Sequence, residues 1–310
     1  MSDAGDSLDF LKKPPPVGEP RFWKISPTRR LAWNDYGDPH GFPVLYYHGW
    51  PSSRLQARLT HHLARERGLR IVAMDRPGMG KSTFIPGRTL DSWPELMQDF
   101  TSALGIGKFG QLAVSGGGPY ALACAAKIPE RLTATAVLAG AVPLGKSLKG
   151  LHWGYRLLEI IKKTTPCAAF TGLSRVGEAF SRLNPASPPI RWLLASVARE
   201  DRRVLLENPE VWAVIAKSFR EGVQGGRGPG LIADADVYFQ PLSFDPGEIR
   251  HPVRYWHGGD DQNIRLEMVR EFVGKIAGAE LVVDPALGHF SIVIRRAPAA
   301  MDYLAAKCCV

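Results

Sequence analysis

The segment that most restricts the fold runs from Gln111 to Ala125. It begins with an apolar run that predicts a buried strand, reaches Ser115 and three glycines, and continues after Pro119 as an alanine-rich helix former. Glycines allow a strand and a helix to crowd together at such a turn, and the first helical amides would point toward the hydroxyl. The segment therefore predicts a strand, a sharp turn and a helix, with a serine presented on the turn.

This turn matches most of the pattern Gly-x-Ser-x-Gly, in which a strained turn presents a nucleophilic serine. Ala113 replaces the first glycine, whereas Ser115 and Gly117 fit the pattern. Because the pattern is short, a glycine-rich turn that cradles a phosphate is the alternative interpretation. The residues that follow the other strands distinguish a nucleophilic serine from a phosphate-binding turn.

Length and composition exclude several classes of protein. The 310 residues suit one large α/β domain or a domain with an insertion. The net charge is +9, but no dense basic tract indicates a nucleic-acid partner. The four cysteines match no zinc site and are too few for a disulfide framework. Without a long apolar span or a secretory signal, we expect no membrane span and a cytoplasmic location.

Apolar strands alternate with helical patterns on both sides of the serine turn, which predicts a mostly parallel sheet covered on both faces. In such sheets the working groups collect at the carboxyl ends of the strands, and the loops 48–51, 75–82 and 115–119 all follow strands. Eight strands are expected in these regions: 21–25, 30–36, 42–47, 69–74, 109–114, 132–141, 253–256 and 281–283.

The strand pattern stops at about Val142 and resumes at Val253. The intervening residues predict about four helices, at 150–164, 168–183, 189–206 and 210–221, followed by a flexible glycine-rich stretch from Gly222 to Gly230. An insertion at this point would lie over Ser115 as a lid. We therefore predict three parts of the chain. Residues 1–19 form a flexible N-terminal arm, residues 20–142 and 246–310 form an α/β core, and residues 143–245 form a helical cap inserted after the sixth strand.

Two later strand ends supply the groups that a serine nucleophile needs. A serine hydroxyl reacts when a histidine removes its proton and a carboxylate orients the histidine. One strand ends in His257-Gly258-Gly259-Asp260-Asp261, and the last strand is followed by Gly288-His289-Phe290. The order serine, carboxylate, histidine along the chain is the one expected for this kind of turn.

Together these segments resemble the α/β-hydrolase superfamily, in particular its lidded serine-hydrolase branch, over about residues 20–305. The matching segments are His48-Gly49-Trp50-Pro51, Asp75 to Ser82, Val114 to Gly118, Gly258 to Asp261 and Gly288-His289-Phe290.

The resemblance implies roles for particular residues. Ser115 would be the nucleophile, His289 the general base and Asp261 the carboxylate that orients His289. In this superfamily the acid usually stands three residues after the glycine of the strand-end His-Gly pair, which favours Asp261, with Asp260 as its rival. The triad is thus predicted as Ser115, Asp261 and His289.

The resemblance also implies an oxyanion hole made by the backbone amides of Gly116 and Trp50. The Trp50 ring is expected at the wall of the pocket. Aromatic side chains of the inserted helices, Trp153 and Tyr155 among them, and Phe290 beside the histidine are candidates for an apolar substrate pocket.

The predicted substrate is a carboxylic ester, thioester or lactone of small to medium size and apolar character. The segment His48–Pro51 is similar to that of epoxide hydrolases, but those enzymes and the related dehalogenases use an aspartate nucleophile, and Ser115 is suited to form an acyl-enzyme. No metal or organic cofactor is required, and we expect a monomer or a homodimer. The alternatives are hydrolytic carbon–carbon cleavage of a diketone-like compound and a non-catalytic protein that binds small molecules.

Overall fold

The computed structural model describes residues 8–11, 13–143, 151–164, 167–226, 229–242 and 244–308. One sheet of eight strands forms its centre, in the order β1-β2-β4-β3-β5-β6-β7-β8. The strands are β1 (Arg21–Ser26), β2 (Arg29–Gly37), β3 (Phe42–Tyr47), β4 (Leu69–Met74), β5 (Phe109–Val114), β6 (Leu132–Leu138), β7 (Val253–Gly258) and β8 (Ala279–Asp284).

The predicted fold class is confirmed, because the sheet is mostly parallel. Strand β2 pairs antiparallel with β1 and with β4, and the remaining strand pairs are parallel. All six residues of β5 are buried, as expected of a central strand that is covered on both faces. The carboxyl ends of β3, β5, β6, β7 and β8 consequently lie along one edge of the sheet.

Helices cover both faces of the sheet. Apolar side chains of α2 (Ser92–Ala103), α3 (Gly118–Lys127) and α10 (Leu266–Val273) pack on one face. Those of α1 (His61–Glu66) and α11 (His289–Ala306) pack on the other. Alternation along β3 divides its side chains between the two layers, so Leu45 and Tyr47 belong to the first and Val44 and Tyr46 to the second.

Between β6 and β7 the described part of the chain forms helices, at the place where a cap was predicted. We call the six helices the inserted helices: α4 (Trp153–Thr164), α5 (Cys167–Phe180), α6 (Pro188–Leu194), α7 (Arg199–Glu207), α8 (Pro209–Gly226) and α9 (Pro229–Val237). The proposed domain boundaries at residues 143 and 245 stay a prediction.

Two expectations for the inserted helices were wrong in detail. The single helix predicted at 189–206 is divided into α6 and α7, because Ala198, with a ψ of 151°, is not helical and is buried where the chain passes close to Gly288. The stretch predicted to be flexible is helical as far as Gly226 and again from Pro229. Its Val223 is buried beside Met79 and Leu231, and this packing outweighs the low helix propensity of glycine.

The predicted N-terminal arm makes contacts with the core where the structure describes it. Residues Asp9–Leu11 form a short helical turn, and Leu11 packs beside Leu59 and Ile294. The carbonyl of Pro15 accepts a hydrogen bond from Arg58 Nε at 2.7 Å. Residues 1–7 and 12 lie outside the described residues, so flexibility of the arm as a whole stays a prediction.

Candidate active site

The edge formed by the carboxyl ends of the strands brings three predicted residues into contact. Ser115 directly follows β5, Asp261 lies in the turn after β7, and His289 is the first residue of α11. The Ser115 Oγ and His289 Nε2 atoms are 3.0 Å apart. On the other side of the imidazole, His289 Nδ1 lies 2.8 Å from Asp261 Oδ2. The three side chains therefore form one hydrogen-bonded chain.

Ser115 is held in a strained backbone conformation. Its φ is 50°, in the left-handed region that few residues other than glycine adopt. A Cβ at Gly117 would overlap the backbone of Tyr47, so the turn can pack this closely against β3 only with glycine there. The Ser115 carbonyl also accepts a 2.7 Å hydrogen bond from the Ala141 amide. These contacts fix the direction in which the hydroxyl points.

The structure places Asp261, and not Asp260, against His289. Asp261 is buried, and its Oδ1 accepts hydrogen bonds from the amides of Asn263 and Ile264 at 2.8 and 2.9 Å. Asp260 is exposed, and its carboxylate accepts a hydrogen bond from Gln262 at 2.6 Å. The turn thus orients one carboxylate inward and leaves the other in solvent.

The electrostatics of the pair favour a charged Asp261. Burial works against the protonated imidazole, but the Asp261 carboxylate outweighs it and raises the pKa of His289 above its ordinary value. Burial also opposes the charge on Asp261, yet His289 holds the pKa of that carboxyl below its ordinary value. His257 Nε2 is 3.0 Å from the carbonyl of Ile264 and 3.5 Å from Asp261 Oδ2. Burial lowers the pKa of His257, which is consistent with a neutral ring.

The two backbone segments that were predicted to form an oxyanion hole lie side by side. A Cβ on Gly116 would stand 3.0 Å from the amide nitrogen of Trp50, and one on Gly49 would stand 3.4 Å from the Ser115 Cβ. Gly116 lies in the first turn of a helix, where amides have no acceptor within the helix. The two segments therefore lie close together beside Ser115, and an oxyanion hole formed by their amides stays a prediction.

The residues predicted to line a substrate pocket differ in their surroundings. The Trp50 ring is partly buried, and its Nε1 donates to the carbonyl of Leu231 in α9 at 3.3 Å. The Phe290 ring lies edge-on to the His289 imidazole at 5.6 Å between centroids. Trp153 is 50% exposed. The side chain of Tyr155 lies outside the described residues. A substrate-binding role for these four residues stays a prediction.

A buried charged cluster supports the two segments beside Ser115, and the sequence did not indicate it. Asp234 of α9 is fully buried, and its carboxylate accepts hydrogen bonds from both Arg76 and Arg88. The Tyr120 hydroxyl donates to the same carboxylate at 2.7 Å. Burial opposes the charge of Asp234, but the two guanidinium groups outweigh it and hold its pKa below the ordinary value.

The cluster reaches the predicted oxyanion site through two hydrogen-bond donors. Arg76 donates to the carbonyl oxygens of His48 and Gly49, directly before Trp50. The Tyr238 hydroxyl donates to the carbonyl of Gly116 at 2.9 Å. The sequence predicted the loop 75–82 that contains Arg76 but no role for Asp234 or Tyr238, because Arg76 and Asp234 are 158 residues apart in the chain.

The described ranges contain neither a candidate metal site nor a candidate membrane span. No group of three or more histidine, cysteine, aspartate or glutamate side chains there is arranged to hold a metal ion. No helix in the part of the chain that the structure describes is long and apolar enough to cross a membrane.

A mostly parallel eight-stranded sheet with a serine on the turn after β5 defines a protein of the α/β-hydrolase fold. A family model described as "alpha/beta hydrolase fold" matches residues 43–164, from β3 into α4. This match and the fold support the α/β-hydrolase superfamily that the sequence motifs predicted.

Solved structures resemble the chain over nearly its whole length. An α/β-hydrolase-fold protein from Nakamurella multipartita has a TM-score of 0.65 at 24% identity, covering 93% of this chain and 99% of that one. A thermophilic esterase from Thermogutta terrifontis has a TM-score of 0.63 at 20% identity, with coverages of 94% and 99%. At these identities the likeness shows the fold alone.

Sequence relatives match a shorter region. A proline iminopeptidase from Xylella fastidiosa is 32% identical over 112 residues, which are 35% of this chain and 36% of the relative. The chain spans 36% to 44% of the length of the curated relatives that it matches.

Proposed function

We propose that the chain is a serine hydrolase that cleaves a carboxylic ester, thioester or lactone of a small to medium apolar substrate. The observation that carries this proposal is the hydrogen-bonded chain from Ser115 Oγ through the His289 imidazole to Asp261. The likeness in fold to a protein described as an esterase supports it. A serine is suited to this chemistry because its hydroxyl attacks a carbonyl once a base removes its proton.

In the first half of the reaction, His289 Nε2 accepts the hydroxyl proton while Ser115 Oγ bonds to the carbonyl carbon. The resulting oxyanion accepts hydrogen bonds from the amides of Gly116 and Trp50. His289 then gives its proton to the leaving alcohol as the carbon–oxygen bond of the ester breaks. Asp261 fixes the imidazole tautomer and stabilises the imidazolium that forms transiently.

In the second half, a water molecule takes the place of the alcohol. His289 removes a proton from the water, whose oxygen attacks the acyl carbon, and the bond to Ser115 Oγ breaks as His289 returns the proton to it. The products are the carboxylic acid and the free enzyme. The raised pKa of His289 and the lowered pKa of Asp261 suit a base that must hold a proton briefly.

The inserted helices are proposed to form a cap over this site. Two contacts support that role: Tyr238, directly after α9, donates to the Gly116 carbonyl, and Trp50 donates to the carbonyl of Leu231 in α9. A cap in this position would determine which acyl and alcohol groups reach Ser115. The pocket would then be apolar on the side of Phe290 and Trp50.

The test is hydrolysis of a p-nitrophenyl ester series from acetate to decanoate by the wild type and by Ser115→Ala. We expect turnover by the wild type and none above background by the variant. Ser102→Ala, which alters an exposed serine of α2, is the matched control and should keep wild-type activity. The dependence on acyl length would give the size of the pocket.

An active-site phosphonate separates the alternatives if no ester is cleaved. Labelling of wild type at Ser115 without ester turnover would favour a more specialised reaction, such as cleavage of a diketone-like compound. The absence of both labelling and turnover would refute the hydrolase and favour a non-catalytic binding protein.

A further inference from the structure

A carboxylate from the inserted helices is located at the start of the helix that carries His289. Asp201 of α7 is 1% exposed, and its Oδ2 accepts a hydrogen bond from the His289 amide at 2.8 Å. Its Oδ1 accepts from the amide and from the hydroxyl of Ser291 at 2.8 and 2.7 Å. Because each of these partners donates, Asp201 acts here as an ionised acceptor.

These bonds replace the cap that the local sequence lacks. The residue before α11 is Gly288, which has no side chain to accept from the first helical amides. Ser291 Oγ accepts a hydrogen bond from the Gly288 amide at 2.8 Å, and Asp201 accepts hydrogen bonds from the amides of His289 and Ser291. The first amides of α11 are therefore satisfied mainly by a residue that lies 88 positions earlier in the chain.

The contact also explains the glycine before the histidine. A Cβ at Gly288 would lie 2.5 Å from Asp201 Oδ2 and 2.5 Å from the Ala198 Cβ. A side chain at residue 288 would push α7 away from the start of α11. Gly288 is thus the residue that allows α7 to come close enough for Asp201 to bond to the His289 amide.

We propose that Asp201 is a positioning residue for the catalytic base, through which the inserted helices hold His289 in reach of Ser115. This inference rests on the proposed function of Ser115 and His289. Because His289 is the first residue of its helix, its amide nitrogen is one of the atoms that set the direction of its side chain. A displacement of about 1 Å at a catalytic group can lower the rate about a hundredfold.

Asp201 also contributes to the charge around the imidazole. The groups facing His289 are Asp261 at Nδ1, Ser115 at Nε2 and Asp201 at the backbone, with His257 on the far side of Asp261. Burial lowers the pKa of His289, while Asp261 and, more weakly, Asp201 raise it. Burial raises the pKa of Asp201 itself. Removal of the Asp201 charge should therefore lower the pKa of His289.

The experiment compares Asp201→Asn with the wild type and with Glu221→Gln. Glu221 of α8 is also a buried carboxylate that joins the inserted helices to the core, through Arg54 at 3.0 Å. For Asp201→Asn we expect kcat on the best p-nitrophenyl ester to fall about 10- to 100-fold, with KM changed less than about threefold. The acid limb of the kcat/KM profile should move to lower pH. Glu221→Gln should shift the unfolding midpoint but leave kcat and the limb unchanged.

Imidazole titration by NMR gives a readout that needs no substrate. The His289 signal is identified by its loss in His289→Gln, and its pKa should be lower in Asp201→Asn than in the wild type. If the wild type hydrolyses no ester but the signal shifts, the positioning role stands and the proposed reaction fails. The positioning role is refuted if kcat, the acid limb and the His289 pKa of Asp201→Asn all match the wild type. It is also refuted if Asp201→Asn and Glu221→Gln lose activity equally and the His289 pKa does not change.

Discussion

Removal of the charge on Asp234 tests whether the buried cluster under the active site is ionised. Asp234 is the one carboxylate that both Arg76 and Arg88 contact among the described residues, and all three side chains are buried. In Asp234→Asn two guanidinium groups would lose their counter-ion. The amide oxygen of Asn could accept from one donor, but its NH2 would face another.

The expected loss of stability is large for a change of one atom. Breaking a buried ion pair by removing one partner costs about 3–5 kcal/mol, because an unpaired charge is left in the interior. With a urea m-value of about 3 kcal/mol per M, a loss of about 4 kcal/mol lowers the unfolding midpoint by roughly 1.3 M. Burial alone would raise the pKa of Asp234, and the two arginines bring it below its ordinary value.

The sign of the pH dependence follows from that lowered pKa. A depressed folded-state pKa gives stability that is fully present above the unfolded value of about 3.9 and is lost as the pH falls through the folded value. The difference in free energy of unfolding between the wild type and Asp234→Asn should therefore be the same at pH 8 and at pH 5. Its measurement at both pH values checks the charge state directly.

The assay is urea unfolding followed by tryptophan fluorescence and circular dichroism. Asp236→Asn changes an exposed carboxylate on the same helix and should alter stability by less than about 0.5 kcal/mol. We also expect ester hydrolysis by Asp234→Asn to fall, since Arg76 holds the carbonyls before Trp50. If its unfolding midpoint equals that of Asp236→Asn, the cluster is not ion-paired as described and the reasoning is refuted.

Three other expectations concern the neighbourhood of the imidazole. Because neutral His289 is the proposed base and Asp261 raises its pKa, kcat/KM should increase with pH through an acid limb at higher pH than an ordinary imidazole would give, which a pH–rate profile measures. Asp261→Asn should lower kcat by about 10⁴-fold, whereas Asp260→Asn should leave it near the wild type in the same ester assay; equal losses would contradict the orientation of the turn. Gly288→Ala should destabilise the protein by about 1–3 kcal/mol through overlap with Asp201, and an unchanged unfolding midpoint would count against that contact.

The sequence predicted most of the sheet because its strands are buried on both faces. An apolar run such as β5, which is buried at all six positions, is visible in the residues themselves. The turn at Ser115 was also readable, since a strained backbone beside a tightly packed strand requires glycines that stand out in the sequence. His289 was found by its place after the last strand.

The inserted helices were harder to predict, because tertiary packing decided their bounds. The glycines after residue 221 predicted a flexible stretch, yet burial of Val223 beside Met79 continues the helix through them. The break between α6 and α7 depends on the approach of Ala198 to Gly288, which lies about 90 positions away in the chain.

The amino-acid sequence by itself determined the order of strands and helices, the serine turn and the residue types that follow each strand. Those features depend on local propensity and on hydrophobic pattern, which neighbouring residues express together. Tertiary structure alone decided that Asp201 holds the His289 amide and that Asp234 joins two buried arginines. Aspartates in helices usually lie in solvent, and only the docking of α7 and α9 against distant segments supplies the donors that make their burial favourable.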